Sequence, residues 1–133
     1  MKALFALAAT AAFCAGPVYA DCSYPPPPDH LPDGNTATMA EMVDGQKAVK
    51  EYDKAINAYM ACIHLEHDDA VSKIAKPGEK PTAEQKKALD DMERIETQKH
   101  NAAFDQLNSV AERFNEQVRV FKAKSNPDSG KKN

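Results

Sequence analysis

Residues 64–69, His-Leu-Glu-His-Asp-Asp, form the one cluster of metal-ligand side chains in this sequence. On a helix, His64 and His67 would share a face because they are three positions apart, and Asp68 could add a carboxylate oxygen. Imidazole nitrogen and carboxylate oxygen suit Zn²⁺ or Cu²⁺. However, the i, i+4 histidine pair of HExxH zinc sites is absent. We therefore treat His64, His67 and Asp68 as candidate metal ligands, with a solvated helix surface as the alternative.

Motifs for other common site chemistry are absent. The chain has no G-x-S-x-G, no C-x-x-C or C-x-x-C-H, and no glycine-rich phosphate loop. Long helical hairpins also lack the concave pocket that most catalysis requires. We expect a non-enzymatic protein without a cofactor. We also expect His100 to lie in the hydrophobic core or at its boundary.

The charge balance bears on the class of partner. The chain has 17 Lys and Arg against 20 Asp and Glu, a formal net charge of −3. Nucleic-acid-binding domains need a basic patch, so nucleic acid is not an expected partner. Lysines with Ser, Asn, Pro and Gly dominate the end of the chain, which predicts a disordered basic tail over residues 125–133.

Residues 1–20 have the three parts of a secretory signal. Lys2 supplies a positive charge, residues 3–14 are apolar, and residues 18–20, Val-Tyr-Ala, resemble a cleavage site. The apolar run is short for a membrane span, and no later run is long enough to be one. We expect cleavage after Ala20, export, and no transmembrane segment afterwards.

Two capping boxes predict the starts of two long helices, Thr38 with Glu41 and Thr82 with Gln85. The first helix should run from about residue 38 to 74, where Pro and Gly follow, and the second from about 83 to 124. Polar residues at 96–101 leave open whether the second helix is continuous. A coiled-coil-like seam of apolar and tyrosine side chains with heptad spacing marks the first helix: Met42, Val49, Tyr52, Ile56, Tyr59, Ile63 and Ala70.

The short connection between these helices predicts an all-α fold, an antiparallel hairpin of two long helices over residues 38–124. A two-helix hairpin buries little surface per residue, so further elements or a partner must add stability. Dimerisation into a four-helix bundle would be an economical solution. A homodimer is therefore one partner that the sequence suggests.

The two cysteines left after export, Cys22 and Cys62, are expected to form a disulfide within the chain, with pairing across a dimer as the alternative. Cys62 lies about 36 Å along the helix from Thr38, and the segment before Thr38 reaches about 50 Å when extended. The bond therefore requires residues 21–37 to run back along the helix. Four consecutive prolines, residues 25–28, favour that extended shape. We predict a proline-rich strap held by Cys22–Cys62.

The motifs CSYPPPPDHLPDG and EMVDGQKAVKEYDKAINAYMAC resemble a group of small exported bacterial proteins of unknown function. The shared features are an early Cys with prolines, Pro-Asp-Gly, Glu-Met, Gly-Gln-Lys and Tyr-x-x-Cys. This resemblance implies a bacterial periplasmic setting and no particular activity. A weaker similarity links residues 82–85, Thr-Ala-Glu-Gln, to the periplasmic LTxxQ chaperones, which are cradle-shaped helical dimers. Pro81 stands where that motif has Leu, and no second copy occurs.

These features together predict a periplasmic or secreted, non-enzymatic binding or structural module that contacts a protein partner through a helix face. One alternative is a chaperone-like protein that holds unfolded clients. The other is a periplasmic metal-binding protein that uses His64 and His67.

Overall fold

The computed structural model describes residues 22–126, and these residues form an all-α helical hairpin. Helix α1 spans Met39–Ile74 and helix α2 spans Ala83–Ser125. The two helices pack against each other in antiparallel orientation, which confirms the predicted fold class. Neither helix is long and apolar enough to cross a membrane. The expected signal segment and nearly all of the expected basic tail lie outside the described residues.

Both helices begin at the predicted capping boxes. The Thr38 hydroxyl accepts a hydrogen bond from the Glu41 backbone N–H at 3.3 Å, and the Glu41 carboxylate accepts one from the Thr38 backbone N–H at 2.6 Å. The Thr38 backbone N–H and the Thr38 hydroxyl, which donates to the same carboxylate at 2.9 Å, lower the pKa of Glu41. Thr82 and Gln85 repeat the reciprocal arrangement at the start of α2. At each start the capping box therefore satisfies two backbone donors, those of the N-cap residue and of the third helical residue.

The connection between the helices turns at Gly78, whose φ of +85° lies in the left-handed region that glycine adopts most readily. Past the turn, the Gln85 side-chain amide donates to the Ile74 backbone carbonyl at 3.3 Å. One residue thus caps the start of α2 and satisfies a carbonyl at the end of α1. This contact joins the end of α1 to the start of α2 across the loop.

Helix α2 is continuous through residues 96–101, the polar segment whose helicity the sequence left open. No proline or glycine interrupts it, and each added residue extends an existing ladder of hydrogen bonds. The prediction that His100 lies in the core or at its boundary is wrong, because His100 is exposed. The buried position in this part of α2 belongs to Ala103, which is fully buried.

The hydrophobic core lies at one end of the hairpin. Ile56 of α1 and Val110 of α2 are the largest fully buried side chains among the described residues. No residue from 64 to 102 is buried, so the core does not continue to the interhelical loop. The buried apolar residues are Met42, Tyr52, Ile56, Tyr59, Ile63, Ala103, Val110 and Phe114.

Residues 22–37 run back along α1 as an extended strap. Cys22 and Cys62 form a disulfide with their Cα atoms 5.8 Å apart, so the pairing is within the chain, as predicted. Two residues on, the Tyr24 ring meets the edge of the Tyr59 ring at a centroid distance of 5.0 Å. Prolines of the strap then line a cleft with α1 residues including Ala48 and Tyr52. The strap therefore follows α1 from Cys62 toward its start.

At its other end the strap crosses to α2 in a turn. The Asp33 carboxylate accepts a hydrogen bond from the Asn35 N–H at 2.9 Å, and the Asp33 carbonyl accepts from the Ala37 N–H at 2.8 Å. Inside this turn the Gly34 N–H donates to the Gln117 side-chain oxygen at 2.9 Å. Lys124 donates to the Asn35 carbonyl at 2.7 Å. The strap is thus a third layer that spans both helices.

Candidate functional site

The structure brings the predicted metal ligands of α1 together with a residue of α2, Glu96. Nδ1 of His64 lies 3.0 Å from Oε1 of Glu96, and Nδ1 of His67 lies 3.6 Å from Oε2 of the same carboxylate. One carboxylate of α2 therefore faces two imidazoles of α1. We call His64, His67, Asp68 and Glu96 the histidine cluster.

Asp68 completes the histidine cluster from the outer side. Its two oxygens lie 3.5 Å from Nε2 of His64 and 3.6 Å from Nδ1 of His67. The side chains of His64 and Asp68 are 62% and 59% exposed, whereas those of His67 and Glu96 are 18% and 21% exposed. The cluster thus has a half-buried inner pair and a solvated outer pair.

The carboxylates favour positive charge at this position. The hydrogen bond that the His64 ring donates to Glu96, followed by the charge of Asp68, raises the pKa of His64. Any cation, whether a proton or a metal ion, would experience the same attraction. The arrangement can therefore hold a proton on an imidazole or coordinate a metal ion.

Neither ring nitrogen of His67 makes a hydrogen bond, although both are buried. Buried polar atoms nearly always have a partner, so this imidazole is an exception within residues 22–126. A small cleft of about 140 Å³ opens beside it, and Glu96, Ile95 and Lys99 are among its lining residues. The His67 ring is therefore buried by protein on one side and next to a solvent-accessible space on the other.

Sequence reasoning did not find Glu96. It lies at the start of the polar segment 96–101, which offered only the signal of few apolar side chains. Which α2 residue faces His64 depends on the loop length and on the relative rotation of the helices. Neither quantity can be derived from local sequence patterns.

A second group of ligand-type atoms lies at the end of the strap. The ligand atoms of Cys22, Cys62 and Glu66 are within 4.8 Å of one another. Both sulfurs are bonded to each other, and Glu66 accepts a hydrogen bond from the Cys22 N–H at 3.1 Å. In this oxidised state the group fastens the strap. The histidine cluster is wider, and no three of its ligand atoms meet that 4.8 Å spacing.

Apolar side chains are exposed on the part of the hairpin that the strap does not run along and contacts through the hydrogen bond from Cys22 to Glu66. We call residues 64–102 the uncovered half. Within it, Leu65 is 67% exposed and Ile95 is 45% exposed. Phe104, just beyond its boundary, is 50% exposed. Isolated apolar side chains are ordinary on protein surfaces, but here they occur in a range that contains no buried residue.

Comparisons with known protein families, with curated proteins and with solved structures found no match to this chain.

Proposed function

We propose that this protein is a non-enzymatic periplasmic binding module that contacts a partner protein through the uncovered half of its hairpin. The observation that carries the proposal is the contrast between the two ends of one helix pair. Within residues 22–126, all eight buried apolar residues lie outside 64–102, while Leu65 and Ile95 are exposed inside that range.

The strap-covered end has a third layer of structure that the other end lacks. There, two helices and an extended segment together bury Tyr52, Ile56 and Val110. A pair of helices without a third layer leaves part of each apolar stripe in water, and burying that area on a partner is favourable. Charged groups such as Glu96 and Lys99 border the exposed Ile95 and would form a polar rim.

We take the occupant to be an amphipathic helix of an envelope protein. Helices bury their apolar stripes most readily on other helices, and the surface on α1 and α2 is a helical one. Mixed charges around it favour a partner helix with both signs on its flanks. Export is supported by the signal-like residues 1–20 and by the disulfide, since disulfides persist in oxidising compartments.

The experiment places a photo-crosslinking amino acid at Ile95 and, separately, at Val43, in cells that export the protein. Val43 is the matched control because it is a 56% exposed apolar residue of the strap-covered end. The protein crosslinked from position 95 is identified and purified. Its affinity is then measured for the wild type and for the Ile95→Asp and Val43→Asp variants.

We expect Ile95→Asp to weaken binding at least tenfold, and Val43→Asp to leave it unchanged, with helix content equal in both. Equal effects of the two variants would contradict the proposal. Adducts between two copies of the chain would make the partner a second copy, as in a homodimeric four-helix bundle. Many unrelated adducts, with suppression of client aggregation by the purified protein, would favour the chaperone-like alternative.

A further inference from the structure

We propose that His64 and His67 of α1 and Glu96 of α2 bind one Zn²⁺ ion, with Asp68 as an additional ligand, and that the ion links the two helices. This site is independent of the helix-face binding proposed above.

The side chains present are the ones that Zn²⁺ prefers. Zinc in proteins is bound by imidazole nitrogen and carboxylate oxygen, usually with four ligands in a tetrahedron. Two imidazoles and two carboxylates lie here within a single cluster, and each histidine has one ring nitrogen 3.0 to 3.6 Å from an oxygen of Glu96 and one 3.5 to 3.6 Å from an oxygen of Asp68. The ligands come from two helices that their mutual packing and the short loop already hold together.

His67 supplies an independent observation. Both of its ring nitrogens are buried, and neither has a hydrogen-bond partner. Its Nδ1 has a carboxylate oxygen on either side, from Asp68 and Glu96, each 3.6 Å away. That separation is too long for a hydrogen bond, yet it leaves room for an ion bound between nitrogen and oxygen. A metal ion would give this imidazole the partner that it lacks.

The charges also favour a cation. Asp68 and Glu96 bring two negative charges, and the ion pairs they make among residues 22–126 are with the two histidines. Zn²⁺ would bind between these groups without displacing a lysine or an arginine. Among the residues that line the neighbouring cleft, Lys99 is the lysine whose positive charge opposes the binding of a cation.

Binding requires a modest contraction of the cluster. No three ligand atoms of the cluster lie within 4.8 Å of one another, and His64 presents Nε2 to Asp68 but Nδ1 to Glu96, so side chains must turn toward the ion. His64 and Asp68 can do so because more than half of each side chain is in solvent. The half-buried His67 and Glu96 would form the fixed side of the site. The cleft beside them offers a path for the ion.

The test is titration of the untagged, oxidised protein with Zn²⁺ alone, after treatment with a chelator that is then removed. We measure stoichiometry and affinity by calorimetry for the wild type, Glu96→Gln, His64→Asn, and the double variant His64→Asn/His67→Asn. His100→Asn is the matched control, since His100 is an exposed histidine of α2 outside the cluster.

We expect one Zn²⁺ per chain, with affinity at least tenfold weaker in Glu96→Gln and His64→Asn and abolished in the double variant. His100→Asn should bind as the wild type does. As a second measurement, Zn²⁺ should raise the melting temperature of the wild type and of His100→Asn, raise that of Glu96→Gln by less, and leave that of the double variant unchanged. Circular dichroism checks that each variant is folded, and His64→Asn, at a largely exposed position, keeps the test valid if the double variant unfolds.

Two outcomes would overturn the proposal. Wild-type protein that binds Zn²⁺ no more tightly than the double variant has no site at the histidine cluster. Wild-type affinity in Glu96→Gln would mean that any bound ion is held by α1 alone and does not link the helices. In either case the cluster would be an ion-paired contact between α1 and α2.

Discussion

A β-carbon on Gly45 would lie 2.6 Å from Cδ of Pro32, so the strap packs directly on the backbone of α1 at this point. The same β-carbon would lie 3.0 Å from Cε2 of Phe114 in α2. Glycine in a helix interior ordinarily costs stability, because it is about 1 kcal/mol less favourable than alanine. Here it allows strap, α1 and α2 to meet.

We therefore expect Gly45→Ala to lower the free energy of unfolding, by about 1–2 kcal/mol, although alanine favours helix. The added methyl group overpacks the contact with Pro32, which outweighs the gain in propensity. Urea denaturation measures the change. The neighbouring exposed residue provides the control, Gln46→Ala, which should be nearly neutral. A gain in stability for Gly45→Ala would show that the strap does not pack this closely.

Gly34→Ala should cost more than Gly45→Ala. A β-carbon at Gly34 would meet backbone atoms of α2, among them the N atom of Phe121 at 2.8 Å. Backbone within a helix cannot move aside as a side chain can, so the turn of the strap must lift away. We expect a loss of about 3 kcal/mol, at the upper end for overpacking.

Hydrogen exchange tests the physical reason given for Gly34. In Gly34→Ala the amides of residues 34–37 should lose protection, while those of α1 around Ile56 keep theirs. The exposed position Thr36 serves as the control, with Thr36→Ala expected to change stability by less than about 0.5 kcal/mol. Unchanged protection in Gly34→Ala would mean that the turn stays docked and that α2 yields instead.

Cys62→Ser should lower the free energy of unfolding by about 4 kcal/mol and leave the helix content almost unchanged. The bond closes a loop between residues 40 positions apart, and cross-linking at that separation restricts the unfolded chain by about this amount in the chain-entropy account. Chemical denaturation and far-ultraviolet circular dichroism provide the two measurements. Cys22→Ser and the double variant should match Cys62→Ser, and a neutral result would remove the stabilising role of the bond.

Stability should fall at high pH because of Tyr52. Burial, and secondly the nearby phenol of Tyr24, raise the pKa of Tyr52 from 10.0 to about 12. The folded protein then keeps a proton that the unfolded chain has lost. The contribution of Tyr52 to stability is therefore complete below pH 10 and disappears as the pH rises through about 12.

The Tyr52→Phe variant isolates this effect. Below pH 9, the difference in unfolding free energy between wild type and Tyr52→Phe should stay constant. From pH 10 to pH 12, the wild type should lose stability relative to Tyr52→Phe. Absorbance at 295 nm should show one high-pH tyrosine titration missing from the variant. A difference independent of pH would place Tyr52 in contact with water.

The two ends of the hairpin should differ in local stability. Residues 64–102 include no buried side chain, whereas Ile56 and Val110 are fully buried. Local opening is easiest where few apolar contacts are lost. In the metal-free protein, amides of α1 beyond residue 64 and of α2 before residue 102 should exchange faster than those around Ile56. Uniform protection along both helices would contradict this and indicate that the uncovered half is covered in solution.

The elements of this fold could be predicted because their signals are local. A capping box involves residues three apart, so Thr38 and Thr82 were sufficient to locate the starts of both helices. A heptad seam is a repeat along one helix, so the residues from Met42 to Ile63 were sufficient to identify the buried face of α1. The disulfide was expected from the two cysteines left in an exported chain, and a length argument then predicted the strap, since only an extended segment allows Cys22 to reach Cys62.

The contacts between elements were decided by tertiary structure. Glu96 facing His64, His100 facing solvent, and the close approaches at Gly34 and Gly45 all depend on how far α2 is shifted and rotated against α1. A shift of one residue turns a helix by about 100°, which would replace every one of these neighbours while leaving the sequence patterns intact. The sequence by itself therefore determined the helices, the strap and their order, and the packing of the three layers decided which side chains meet.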